Sequence, residues 1–262
     1  MALKILRNPN EGILDLKDPE SGLFPINHIF EPDFHQEKYV SVVKELSASK
    51  NSFQIGTCKY IVEYPHRGIQ PRYEDDENDP ESLEWEGMVK NDGTVLARTG
   101  NADMNICALK SICIRFGYID FETARSVSQE FYKSKKAKAG VKKNDVLINS
   151  TGDGTIGRVA IYNYNFPALV DGHITILRFS DEKLAWYVAA FLLSENGQRQ
   201  IYRYINGSSG QVEIYPQDIA RIWVKNENVD KIAKVAEQYK SACEKHEQFQ
   251  KDLKAALYLV NN

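Results

Sequence analysis

The sequence predicts an α+β protein: a mixed, strand-rich domain followed by one long C-terminal α-helix that forms a coiled-coil-like spacer. Three observations predict this. Short β-branched runs separated by Gly, Asn and Asp fill the middle of the chain. A single helical pattern, KLAWYVAAFLLSENGQRQIYRY (183–204), interrupts them, with apolar residues at 184, 187, 188, 191 and 192 in the i, i+3, i+4 spacing of one helix face. From Val229 to Val260 there is neither Pro nor Gly, and an apolar stripe recurs every seven residues. The expected division is therefore 1–226 for the domain and 227–262 for the helix, with 1–50 as an N-terminal extension. With 262 residues and roughly 100–200 residues per domain, this is the ordinary scale for one or two domains.

The elements follow in order. Residues 1–35 hold four of the nine prolines and little periodicity. QEKYVSVVKELSAS (36–49) reads as a short amphipathic helix with Tyr39, Val42, Val43 and Leu46 on one side. FQIGTCKYIVEY (53–64) reads as strand, and a loop runs from Pro65 to Gly87. MVKNDGTVLART (88–99) places Asn-Asp-Gly between two strand-like halves, a hairpin signal. ALKSICIRFGYIDF (108–121) alternates like a half-buried strand. DVLINSTGDGTIGRVAIYN (145–163) reads as strand, glycine loop, strand, and PALVDGHITILRF (167–179) as a further strand or hairpin. Residues 206–210 form a turn, 211–215 an extended segment and 220–225 a last strand.

In the final helix, Ile232, Tyr239, His246, Leu253 and Val260 share one heptad position, and Ala236, Cys243, Gln250 and Leu257 the other; Val235, Ala242, Phe249 and Ala256 widen the stripe. A helix of 32 residues is about 48 Å long. Two arrangements bury such a stripe: packing on the chain's own domain, or pairing with another helix. The second makes Ile232, Ala236, Tyr239, Cys243, His246, Phe249, Leu253 and Leu257 the dimerisation residues, with polar His246 and Gln250 setting register.

Composition excludes several classes. The chain is 42% hydrophobic and 26% charged, which excludes a disordered tail, a collagen-like repeat and a disulfide miniprotein. No stretch approaches 18 apolar residues, and no secretory signal is visible, so the expectation is a cytoplasmic protein with no membrane contact. Cys58, Cys107, Cys113 and Cys243 are scattered without a CxxC, and the five histidines make no HExxH, so no metal and no cofactor is expected.

Net charge hides an asymmetry. The total is −3, yet residues 74–86 hold eight acids and no base, and the rest of the chain carries +5. Residues 133–158 hold seven bases against Asp145 and Asp153. A solvated lysine loop accounts for this; so does a side that faces a polyanion.

Enzyme signatures are missing. Gly152-Asp153-Gly154-Thr155-Ile156-Gly157 lies between strands, whereas a dinucleotide fingerprint opens a helix. GxSxG, HExxH, Walker A and kinase motifs are absent, as is the Asn/Asp-Pro-Pro-aromatic motif of adenine methyltransferases. What remains are polar loops. Thr151, Asp153, Thr155 and Arg158 occupy one, and Ser208, Ser209 and Gln211 the other. Arg67, Arg72 and Arg98 lie upstream, and Lys135, Lys136 and Lys138 in the basic run. Arg reads guanine, Gln reads adenine, Ser and Thr contact base or phosphate, and Lys contacts phosphate. These residues are the candidate DNA contacts.

The order of these pieces resembles the target recognition domain of type I restriction-modification specificity subunits. The carrying stretches are KKNDVLINSTGDGTIGRVAIYN, YVAAFLLSENGQRQIYRYINGSSGQVEIYPQDIARIWV, IRFGYIDFETARSVSQEFYKS and the helix at 229–260, which together cover 108–260. The resemblance implies a non-catalytic subunit that brings DNA specificity to a DNA adenine methyltransferase (M) subunit, with a restriction (R) subunit as a further candidate partner. It also implies that Gly152, Gly154, Gly157 and Gly207 set turns. Such subunits usually carry two recognition domains and two spacer helices. This chain has one of each, a half-subunit form that would pair through 229–260 as a homodimer and read a bipartite target on double-stranded DNA. The alternatives are a stand-alone DNA- or protein-binding module, such as a phage-defence regulator or decoy, and an enzyme whose site carries no recognised motif.

Overall fold

The computed structural model describes residues 32–70, 87–89, 95–97, 106–207 and 212–261. A 3-10 turn at Pro32–His35 leads into α1 (Glu37–Ala48), β1 (Ser52–Gln54) and β2 (Ile61–Arg67). β3 (Gly87–Val89), β4 (Val95–Ala97), β5 (Ile106–Leu109) and β6 (Arg125–Val127) precede α2 (Gln129–Ala139). β7 (Asp145–Asn149), β8 (Val159–Tyr162), β9 (Ala168–Val170) and β10 (Ile174–Phe179) follow. Then come α3 (Glu182–Leu193), α4 (Glu195–Arg203), the short α5 (Pro216–Ala220), β11 (Trp223–Lys225) and α6 (Val229–Asn261). This is the mixed α+β architecture the sequence predicts, strand-rich and closed by one long helix.

A four-stranded antiparallel sheet, ordered β2-β10-β7-β8, lies at the centre. All five residues of β7 are buried, because both faces of this sheet are covered. Val146, Ile148, Val159, Ile161 and Leu177 face a core shared with α3, α4 and the first half of α6. Leu147, Ala160, Tyr162, Ile174 and Ile176 face the opposite way, onto a second sheet ordered β6-β5-β9. That two-sided burial explains why the strands read as near-continuous apolar runs rather than alternating ones. A buried Asp145 sits at the start of β7 with Arg178 beside it, Nη2 to Oδ2 at 2.6 Å, and Glu63 also contacts the guanidinium. Burial pushes the Asp145 carboxyl up, and the ion pair with Arg178 opposes that shift only in part.

Several local expectations fail for identifiable reasons. The segment 53–64 is not one strand: a 3-10 turn at Ile55–Thr57 breaks it, where Gly56 presses against Ala220 so closely that a Cβ would lie 2.7 Å from the alanine methyl. The segment 108–121 is strand only to Leu109. Beyond it, Ser111 N donates to Asp171 Oδ2 at 3.2 Å and Glu122 N to Asp120 Oδ1 at 3.1 Å, so side-chain acceptors hold turns instead of a ladder. β9 and β10 are not a hairpin; β9 runs parallel to β5 while β10 enters the central sheet. The helix at 183–204 is two helices, because Ser194 ends α3 and its Oγ accepts from Gly197 N to start α4. The last strand is shorter than 220–225, because Pro216–Ala220 forms α5 and β11 spans only Trp223–Lys225. β3 and β4 pair as the expected hairpin arms, Met88 opposite Leu96. The lysine run is not a loop: its residues 133–138 form the end of α2, whose start is capped by Ser128 Oγ accepting from Phe131 N at 3.1 Å.

The long helix α6 corrects the dimerisation assignment in its first half. Ile232, Val235, Ala236, Tyr239 and Cys243 pack into the central core of their own chain, and Ala236 is buried there. Tyr239 stacks edge-on against Trp186 at 5.2 Å, and its hydroxyl donates to Gly117 O at 3.0 Å. His246 lies on Tyr118, ring centroids 3.9 Å apart. Tyr164 Oη donates to Glu247 Oε1 at 2.6 Å. The physical reason is proximity: α3 and the 115–118 turn present an apolar surface in the same chain, so the stripe is covered without a partner. Beyond Gln250 every residue to Val260 is exposed, and Phe249, Leu253 and Leu257 are 57%, 43% and 52% accessible.

Candidate nucleic-acid interface

The site forms where β7 leaves the central sheet. After Asn149 the chain makes a compact turn at Thr151–Gly157. Gly157 N donates to Asn149 O and Asn149 N to Arg158 O, both at 2.9 Å, so the turn closes on itself and returns as β8. Gly152, Gly154 and Gly157 take φ of 94°, 76° and 81°, a left-handed backbone that other residues enter only with strain. That accounts for the glycines in the sequence, and Gly207 (φ 99°) sets the second turn in the same way. Thr155 Oγ1 donates inward to Thr151 O at 3.1 Å, and Arg158 Nη2 reaches back to Gly154 O at 2.7 Å. Among the described residues nothing accepts from the amides of Asp153 and Gly154 at the tip. Successive exposed turn amides can bind an anion.

The second loop is brought beside the first. Gly152 N donates to Val212 O at 3.0 Å and Ile214 N to Ser150 O at 2.8 Å, while Asn206 and Glu213 exchange backbone bonds at 2.8 and 2.9 Å. Segments some sixty positions apart are thus hydrogen-bonded side by side. Ser208, Ser209 and Gln211 lie outside the described residues, as do Arg72 and Arg98. The flanks of the serine loop, Asn206 and Val212, are nevertheless anchored at this point.

Two further strand ends join them. Ser150 N donates to His173 O at 2.8 Å, and the Thr151 hydroxyl lies 2.5 Å from His173 Nδ1, on an imidazole that is solvent-exposed. His173 N in turn donates to Asp171 Oδ1 at 2.9 Å. Burial pushes the Asp171 carboxyl up, and this backbone bond and the nearby imidazole oppose the shift. From β2, Arg67 extends Nη1 to Glu213 Oε2 at 3.1 Å and Nη2 to Ile214 O at 2.9 Å, with its guanidinium 5.5 Å from the centre of the Tyr215 ring. A hydrogen bond from the Tyr215 hydroxyl, and then the Arg67 guanidinium, hold the Glu213 carboxyl below its ordinary range.

The structure therefore gathers Thr151, Asp153, Thr155 and Arg158 with the serine-loop flanks. It also brings Arg67 to them, as a brace whose guanidinium holds the 213–215 segment. Lys135, Lys136 and Lys138 are on α2, packed over β9 rather than at the strand ends. Sequence reasoning missed His173, Glu213 and Tyr215. The only signal for His173 was its place after an Asp-Gly turn; nothing marks Glu213 or Tyr215 until the strands pair. No group of three or more His, Cys, Asp or Glu side chains gathers as metal ligands among the described residues. No helix among them is long and apolar enough to cross a membrane.

No family model matches this chain, and no curated protein matches it. Among solved structures, the type IIG restriction endonuclease BpuSI superposes with a TM-score of 0.52 at 10% sequence identity, over 79% of this chain and 28% of that one. The chain shares its fold with part of a restriction endonuclease. A chain of a type I R-M system, from a structural study of its complex assembly and conformational transition, gives a TM-score of 0.44 at 9% identity, over 85% of this chain and 48% of the other. This chain thus spans under a third of BpuSI and about half of the type I chain. Of these two, BpuSI is similar enough to show a shared fold.

Proposed function

We propose that this chain is a sequence-specific DNA-binding subunit of a type I-like restriction-modification system, non-catalytic itself, which directs methyltransferase and restriction subunits to their target. The observation that carries it is the junction of the two polar loops. Thr151–Arg158 and the loop flanks at 206–207 and 212–215 meet at the ends of β7, β10 and β2, on a fold shared with part of a restriction endonuclease. Turn amides, hydroxyls and a guanidinium at one edge suit a phosphate backbone and base edges together. No group of three or more His, Cys, Asp or Glu side chains gathers as metal ligands at this edge among the described residues.

The distal helix supplies the assembly half of the reading. Phe249, Leu253 and Leu257 form an exposed stripe that a second copy covers, and a two-fold dimer matches an interrupted palindrome. The test is fluorescence anisotropy of the purified chain with a labelled pool of duplexes, from 50 to 200 mM salt. The expected result is binding whose affinity falls steeply with salt, by a slope of about −0.9 per phosphate contacted. A methyltransferase subunit added to the complex should then methylate bound DNA and not unrelated DNA. Absence of duplex binding at the lowest salt sinks the proposal.

A further inference from the structure

The strand-end site continues onto a neighbouring cleft that the loop residues do not reach. Beyond β2 the chain at 68–70 crosses the β9–β10 turn. Gly68 N donates to Ile174 O at 3.0 Å and Ile69 N to Val170 O at 3.2 Å. The crossing is so close that a Cβ on Gly68 would lie 2.1 Å from Val170 O, and one on Gly172 would lie 3.4 Å from Gln70 N. His173, the next residue of that turn, is the one that holds Thr151. On its other side Gln70 borders an open cleft of about 590 Å³, shared with Glu130, Phe131, Ser134 and Lys135 of α2 and with Ile69.

Ile69 and Phe131 rest on the small core of β5, β6 and β9 and give the cleft an apolar floor. Two of its hydroxyls are committed to the helix: Ser128 Oγ accepts from Phe131 N, and Ser134 Oγ donates to Phe131 O at 2.8 Å. The side chains of Gln70, Glu130 and Lys135 make no hydrogen bond or ion pair among the described residues. An amide, a carboxylate and an ammonium over an apolar floor are the groups that read adenine, cytosine and guanine edges respectively. A cleft for phosphate alone would not place a carboxylate at its rim. Phosphate contacts fall instead to the lysines around it, Lys133, Lys136 and Lys138, which are exposed on the same helix.

We infer that this cleft reads base edges of the same duplex that the strand-end loops hold, with Gln70 and Lys135 as specificity-determining residues. The inference rests on the DNA-recognition reading above and adds a place where sequence is distinguished. The experiment is selection from a duplex pool with a randomised core, using the full chain, followed by sequencing of bound DNA. Gln70→Ala, Lys135→Ala and, for comparison, Lys133→Ala are selected in parallel. All three positions are on the surface, and thermal melts check that the variants fold.

The expected result is that the unaltered chain enriches one motif. Gln70→Ala and Lys135→Ala should relax it by about tenfold or more at a defined position while still binding the pool. Lys133→Ala should weaken binding evenly across sequences and lower the salt slope by about one. If Gln70→Ala and Lys135→Ala enrich the same motif as strongly as the unaltered chain, the inference is wrong and the DNA reading stands. If the unaltered chain binds no duplex, the DNA reading itself fails and the inference falls with it.

Discussion

The two halves of α6 carry the same heptad pattern and meet opposite fates. From Ile232 to Glu247 the stripe is docked on the helix's own domain, through Ala236 in the core, Tyr239 on Trp186 and His246 on Tyr118. From Phe249 onward equivalent positions stand in solvent, with Leu253 and Leu257 about half accessible. The pattern is continuous and the surface beneath it is not. A heptad repeat therefore says that a stripe must be covered, and leaves open whether the chain or a partner covers it. Here the chain covers roughly the first half.

The largest effect should come from charging the docked half. Ala236→Glu buries a carboxylate among Ile232, Val235 and the apolar α3 side chains, a loss of about 3–5 kcal/mol. Thermal or urea unfolding measures it; an effect within 0.5 kcal/mol would mean the docked half is not docked. Cys243 gives an independent reading. Burial pushes its thiol up to about 12, so at pH 8 a thiol reagent should label it slowly, by roughly a hundredfold relative to an unperturbed cysteine. Undocking by Ala236→Glu should abolish that protection. Equal labelling rates in both proteins would contradict the packing.

A smaller effect isolates one polar contact at the edge of the docked half. Tyr239→Phe removes the hydroxyl that donates to Gly117 O while keeping the ring on Trp186. Its cost should be about 1 kcal/mol, the ordinary value of a buried hydrogen bond. A cost near 3 kcal/mol would show that the 115–118 turn depends on this bond for its shape.

The same contrast explains what could be read from the sequence. The β7–turn–β8 unit was legible because Val146-Leu147-Ile148 and the three turn glycines are local signals, as was the hairpin around Asn91-Asp92-Gly93. The break at Ser194 was not, since a serine cap inside an apolar helical pattern looks like one more polar position. Nor was the end of β5 at Leu109. There the acceptor that ends the ladder is Asp171, sixty residues on. The two polar loops were identified singly, yet their meeting depends on Gly152 bonding Val212, a pairing no spacing rule encodes. His173 and Glu213 became visible only with that pairing. The lysine run was read as charge without shape; Ser128 and the good helix formers after it make it α2.

The smallest effect on the fold should come from the bare half, and there it is the assembly that responds. Leu253→Glu with Leu257→Glu changes two side chains that touch solvent, so the melting transition should shift by no more than about 0.5 kcal/mol in equivalent stability. If a second copy covers this stripe, light scattering on the unaltered chain gives a dimer, and the double variant gives a monomer, because four carboxylates across a two-fold interface repel and stay hydrated. A monomer in both cases would reject the homodimer and leave the stripe to a different subunit. A dimer in both would place the interface elsewhere. In either case the docked half of α6 is untouched by the substitutions, so a large loss of fold stability in the double variant would break the division of the helix into a covered and an uncovered half.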